Sequence, residues 1–224
     1  DGVGAPTYPE FTYVNATEER PDAVYFGEDK LPMIVVYGTP YDMGYNYGQA
    51  LGDKINAFLT SGYVDSGDTS LETAWAEAED WMDPRILDEI EGIAAGAGVD
   101  LGMLQLAHAQ ALYQLNAGFS NAAITPYRSM TSGHDLLHAA TFNAPVSPPE
   151  TKLGLDGEYW EDHLCMVMYV PETGVPHVSC TYAGLAFGFT GGNLAGITLS
   201  PVPEPGMTPG GTVAPLMRSL LYDS

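Results

Sequence analysis

Apolar and polar positions follow different rules in the two halves of the chain. LPMIVVYG, residues 31–38, is a short β-branched apolar run bounded by turn residues, which predicts a strand. From Thr39 the spacing becomes helical, through TPYDMGYNYGQALGDKINAFLTSG. Thr39 suits an N-cap, Pro40 the first turn, and Asp42 the positive end of the helix. Gly44, Gly48 and Gly52 recur every four residues on one face. Each costs a helix roughly 1 kcal/mol relative to alanine, so the stripe predicts an element packed very close to it. Residues 68–83 and 84–98 read as two further helices, with Asp68 or Thr69 capping the first. Pro84 opens the second, and Gly96 and Gly98 end it. Residues 100–116 form a fourth, with His108 inside an apolar setting, where a histidine is ordinarily a satisfied core residue.

After Ser120 the pattern changes to short strands. SNAAITPY and LLHAATFN read as a hairpin about the TSGH turn, with Pro126 marking an edge or bulge. Residues 145–162 are a Pro- and Gly-rich insertion, read as a lid or rim loop. Strands follow at 163–170, 175–183, 185–190 and 194–200, then a loop at 201–212 and a final helix beginning VAPLMRSLL. Helices first and strands after predict an α+β fold, with segregated helices on a mostly antiparallel sheet. Residues 1–30 read as an extended arm and 31–224 as one domain, helical over 31–119 and strand-rich over 120–224.

The two cysteines flank a hairpin whose turn is read as Pro171 to Gly174. If Val170 pairs with Val175, Cys165 falls opposite Cys180. A strained cross-strand disulfide and two buried free thiols both fit that placement.

Charge narrows the partners. Lys and Arg number 7 against 29 Asp and Glu, a formal net charge of -22. Neutralising phosphates needs Lys and Arg, so nucleic acid is excluded as a partner and an anionic membrane surface is disfavoured. No run approaches the ~20 apolar residues of a membrane span. The chain starts at Asp1 with a polar, Pro-bearing opening that contains the sequon Asn15-Ala16-Thr17, so it reads as a mature, secreted arm.

Ser120 stands where helix gives way to strand. A serine hydroxyl is a weak nucleophile until a base takes its proton. There is no G-x-S-x-G elbow, and the histidines at 108, 134, 138, 163 and 177 carry no motif. The nucleophile's own α-amino group is another base, once the preceding peptide bond is cut. That chemistry requires a Ser, Thr or Cys at the start of a strand, where Ser120 is placed.

Four stretches together resemble the penicillin acyltransferase-like branch of the N-terminal-nucleophile (Ntn) hydrolases, related more distantly to choloylglycine hydrolases. They are GTPYDMGYNYGQALGDKI (Gly38 to Ile55), DEIEGIAAGAGVD (Asp88 to Asp100), the Ser120-to-His138 block, and TGGNLAGITLS (Thr190 to Ser200). The resemblance runs from about residue 31 to the end, in family order. It implies an αββα sandwich of mostly antiparallel sheets flanked by helices, and amidohydrolase or acyltransferase activity on a small acyl amide or peptide-like substrate. It implies autoproteolysis between Phe119 and Ser120, Ser120 as nucleophile, and Asn193 as an oxyanion donor. No metal or organic cofactor is implied. Ala140 and Asn143 stand where the family carries arginine and aspartate, and Asn143 takes over the positioning of the nucleophile. Tyr159 and Trp160 in the insertion are expected at the rim of an acyl pocket. The chain is short for the family, which leaves room for a second chain completing the fold. Two rivals remain. One is a non-catalytic descendant that binds rather than cleaves. The other is a conventional serine hydrolase in which His138 or His177 serves Ser120.

Overall fold

The computed structural model describes residues 23–26, 31–64, 68–116, 122–124, 126, 130, 137–141, 160–200 and 213–223. Its first strand, β1 (Ala23–Phe26), comes from the stretch read as an arm and pairs antiparallel with β2 (Met33–Gly38). Helices α1 (Pro40–Thr60), α2 (Thr69–Glu79), α3 (Pro84–Ala97) and α4 (Leu101–Asn116) follow. Strands β3 (Ala122–Ile124) and β4 (Ala139–Thr141) pair antiparallel as the predicted hairpin. A 3-10 turn (Trp160–His163) leads into β5 (Leu164–Pro171), β6 (His177–Tyr182), β7 (Thr190–Asn193), β8 (Thr198–Leu199) and the helix α5 (Val213–Asp223).

The main sheet has the order β1-β2-β5-β6-β7-β8. Only β2 and β5 run parallel; the other pairs are antiparallel. The fold is therefore α+β on a mixed, mostly antiparallel sheet. Alternation along β5 sets the two faces: Cys165, Val167 and Tyr169 are wholly buried, while Met166, Met168 and Val170 are half-buried. The first face carries α1, whose Met43, Tyr47, Ile55 and Phe58 are fully buried.

Local signals set the helix ends. Thr39 Oγ1 accepts from the Asp42 N–H, and Asp42 Oδ2 accepts from the Thr39 N–H, both at 3.2 Å, which is a reciprocal capping box. Asp68, not Thr69, caps α2. Asp83 caps α3, and Gly98 closes it at φ 67° in the left-handed region. The glycine stripe does what its period predicts. A Cβ built at Gly44 would land on the Glu89 carbonyl, and one at Gly48 on the Ile93 carbonyl. The contact is mutual, since Gly92 and Gly96 of α3 face the Tyr41 and Tyr45 carbonyls of α1. Gly52 makes only ordinary contact, 3.6 Å to the Ala97 Cα, just past a break in helical geometry at Leu51 (φ -121°, ψ 20°).

Two strand expectations are corrected. Residues 185–190 are not a strand before Thr190. Leu185, Ala186 and Phe187 are wholly buried; Leu185 N–H donates to the Tyr182 carbonyl, and side chains take the next groups: Ala186 N–H donates to His108 Nε2 (2.9 Å), Arg218 Nε to the Ala186 carbonyl (3.0 Å), and Thr181 Oγ1 to the Phe187 carbonyl (2.9 Å). An apolar run looks alike whether neighbours or side chains satisfy its backbone. Of the strand read over 194–200, only Thr198–Leu199 forms, because a turn with Gly196 at φ 89° occupies its first half.

The β5–β6 register also differs, and it removes the disulfide. Cys165 pairs with Thr181 and Cys180 with Met166. The last ladder pair is Tyr169 with His177, so the register is displaced by one residue from the one read and residues 170–176 lie beyond the ladder. Val175 has left the hairpin: its N–H donates to the Tyr222 carbonyl of α5 (2.8 Å), and Pro176 has no N–H to offer. A slip of one residue turns a side chain to the opposite face of a sheet. Cys165 therefore faces the helices, Cys180 faces the other way, and both are free thiols.

Candidate functional site

The chemistry read from the sequence centres on the β3–β4 hairpin. Its register is Ala122 with Thr141, Ala123 with Ala140 and Ile124 with Ala139. Ala140, at the family's arginine position, thus sits mid-ladder. Ser120 and Asn143 each lie two residues along the chain from the same end of that ladder. Ser120, Phe119, Asn143 and Tyr159 are themselves outside the described residues, and Trp160 opens the 3-10 turn before β5.

At the other end of the ladder, His138 precedes β4 and reaches the main sheet. Its Nε2 lies 2.8 Å from Ser200 Oγ, and Ser200 Oγ lies 2.7 Å from Thr190 Oγ1. Thr190 Oγ1 also donates to the Leu199 carbonyl at 3.2 Å. Two members of this chain, His138 and Thr190, border a cavity of about 240 Å³ whose walls also include Met166, Val178, Cys180 and Gly192. The floor is the half-buried face of β5 and β6, and no Asp, Glu, Lys or Arg belongs to its described lining. Burial pushes the Cys180 thiol up, so it lines the space as a neutral group.

Asn193 lies in β7 opposite His177. Its Nδ2 donates to the Leu221 carbonyl (3.1 Å), and its Oδ1 accepts from the Ile197 N–H (2.9 Å). The side chain thus ties the β7–β8 turn to the last turn of α5. His177 Nδ1–H donates to the Val175 carbonyl (2.6 Å), and the ring stacks on Tyr169 at 5.2 Å. Burial and the positive charge of Arg218 push its pKa down to about 2, so it stays neutral. His108 is a core histidine, as read. Its Nδ1–H donates to the Leu104 carbonyl (2.7 Å) and its Nε2 accepts from Ala186, with burial holding its pKa near 4.

Sequence reasoning missed a buried ion pair. Arg218 of α5 and Glu89 of α3 are each 1% exposed and meet at 2.7 Å (Nη2 to Oε2). The Arg218 guanidinium also lies 3.7 Å from the Tyr169 ring centre. Burial outweighs the attraction of Arg218 and raises the Glu89 pKa to about 7. Near the other end of α5, Arg85 grips Asp223 through two bonds (2.6 and 2.8 Å) while also holding Asp83. Only the position of Arg218 on the apolar face of its helix could have signalled the buried pair.

Among the described residues, no group of three or more His, Cys, Asp or Glu is placed to hold a metal ion, and no helix is long and apolar enough to cross a membrane. No protein-family model matches the chain, and no curated protein matches it. The fold and the site define an α+β protein with a mixed sheet, and a small cavity lined by His138 and residues of β5 to β8.

Proposed function

We propose that the chain is a secreted Ntn-type amidohydrolase or acyltransferase, acting on the C–N bond of a small acyl amide or peptide-like substrate. Cleavage after Phe119 frees the Ser120 amine, which serves as base for its own hydroxyl. Ser120 attacks the amide carbonyl, the amine leaves, and water or a second amine resolves the acyl-enzyme. Asn143 hydrogen-bonds the freed amine, and Tyr159 and Trp160 border the acyl pocket. Asn193 supplies an oxyanion donor once its bond to the Leu221 carbonyl is exchanged for one to substrate. The chemistry draws on no metal or organic cofactor.

The observation that carries this reading is the β3–β4 register, which leaves Ser120 and Asn143 equally far beyond one end of a two-stranded ladder. Two further features agree with it. The glycine blocks that carry the resemblance interlock as α1 and α3. The main sheet also turns a half-buried apolar face, with Met166, Met168, Val170 and Val178, away from α1. In an αββα sandwich that face would take a second sheet, to which the reading assigns β3–β4, with a second chain completing it.

Intact mass tests the reading. Two fragments dividing between residues 119 and 120, replaced by one uncut chain in Ser120→Ala, are expected. An uncut native chain with no acyl adduct on residue 120 overturns it. That outcome selects a second reading, an unprocessed secreted binding protein, favoured by the engagement of both Asn193 side-chain atoms with backbone.

A further inference from the structure

We propose that Ser200 and His138 form a second nucleophilic site, distinct from Ser120, that accepts the acyl group of a small uncharged carboxylic ester. The pair is not a local contact. Ser200 follows β8 of the main sheet, His138 leads into β4 of the other, and they are 62 residues apart. Their 2.8 Å separation is within the reach required of a nucleophile and its general base. Ser120 precedes the end of β3 farther from His138, because Ile124, not Ala122, meets Ala139.

The hydroxyl chain sets the proton position. Thr190 donates to the Leu199 carbonyl, which leaves the Ser200 proton for either Thr190 Oγ1 or His138 Nε2. With His138 neutral and its proton on Nδ1, the Ser200 O–H donates to Nε2 and the serine can be activated. With His138 charged, Nε2–H donates to Ser200 and the serine proton turns to Thr190, so activation is lost.

The cavity beside the pair decides the ligand. Its apolar floor exists because the observed register puts Val178 and Cys180 of β6 on the same face as Met166 of β5. About 240 Å³ of open space beside His138 and Thr190 has room for a benzoyl group or a short aliphatic acyl chain. No charged side chain among the described lining compensates a carboxylate, and a net charge of -22 repels one.

In the reaction Ser200 Oγ bonds to the ester carbonyl carbon as its proton passes to His138 Nε2. The carbon–oxygen bond to the alcohol then breaks, and His138 returns the proton to the departing oxygen. Water repeats the sequence to release the acid and restore Ser200.

The test uses the full chain and p-nitrophenyl butyrate. Release of nitrophenol with one butyryl group mapped by mass spectrometry to Ser200 is expected. His138→Gln slows acylation by ~10²-fold, the lower end of general-base contributions. Ser200→Cys moves the adduct to a hydroxylamine-labile thioester at the same position. No adduct on Ser200, an adduct confined to Cys180, or His138→Gln reacting as fast as the parent overturns the inference. An adduct on Ser120 alone overturns it while leaving the Ntn reading intact. An adduct on Ser200 in a chain never cut at residue 119 does the reverse.

Discussion

Replacing Gly44 by alanine sets a methyl carbon against the backbone of α3. The new Cβ falls on the Glu89 carbonyl oxygen, with the carbonyl carbon at 2.9 Å and the Cα at 3.0 Å, where ordinary contact begins at 3.4 Å. None of these atoms is the end of a flexible side chain, so relief requires α1 and α3 to part. Parting loosens the buried faces of both helices, including Tyr47, Ile90 and Ile93. Overpacking of this kind costs about 1–3 kcal/mol, and a clash with backbone belongs at the upper end. The helix-propensity gain of alanine over glycine returns about 1 kcal/mol. The net expectation is a loss of about 2 kcal/mol. Gly52→Ala is the internal control. Its Cβ meets the Ala97 Cα at 3.6 Å, so the propensity gain stands alone and the variant is neutral or up to about 1 kcal/mol more stable. Urea unfolding followed by circular dichroism measures both, with the slope held constant between variants. If Gly44→Ala and Gly52→Ala shift the midpoint in the same direction by similar amounts, close helix approach is not why the stripe is glycine.

Other expectations follow from the buried polar groups and the thiols. Burial raises the Glu89 pKa from 4.5 to about 7, so the folded state holds that proton more tightly than the unfolded chain does. Its contribution to stability is therefore full below pH 4.5 and lost as pH rises towards 7. Melting temperature against pH should show that decline, and Glu89→Gln should flatten it; an unchanged slope in the variant refutes the assignment. Removing the partner instead, as Arg218→Ala, pushes the Glu89 pKa higher and takes away the Arg218 hydrogen bond to its carboxyl, which should cost about 1–3 kcal/mol in urea unfolding at neutral pH. Both thiols should titrate as free in denaturant without reductant. In the native state a small thiol reagent should modify half-buried Cys180 and spare Cys165, whose pKa burial raises to about 12; a disulfide-linked peptide in a digest would contradict the register.

The features legible in the sequence are those fixed by neighbours within a turn or two. Thr39 and Asp42 cap α1 from three residues apart, Pro84 and Gly98 bound α3, and the four-residue period of Gly44 and Gly48 announces a close partner. The β3–β4 hairpin was legible from its strand pattern, and of the two His108 partners only the Leu104 carbonyl is local. Tertiary structure alone decided which groups meet across long separations. The β5–β6 turn chemistry favours one register, but the Tyr222 carbonyl draws the Val175 N–H away and the ladder shifts by one residue. That shift sends Cys180 to the cavity and Cys165 to the core. Glu89 and Arg218 are 129 residues apart, and neither carries a local mark of its partner. Capping and periodicity are backbone geometry repeated over a few residues, so sequence encodes them directly. Register and buried pairing depend on which distant donors remain unsatisfied when the layers close, and that competition is settled only in the assembled fold.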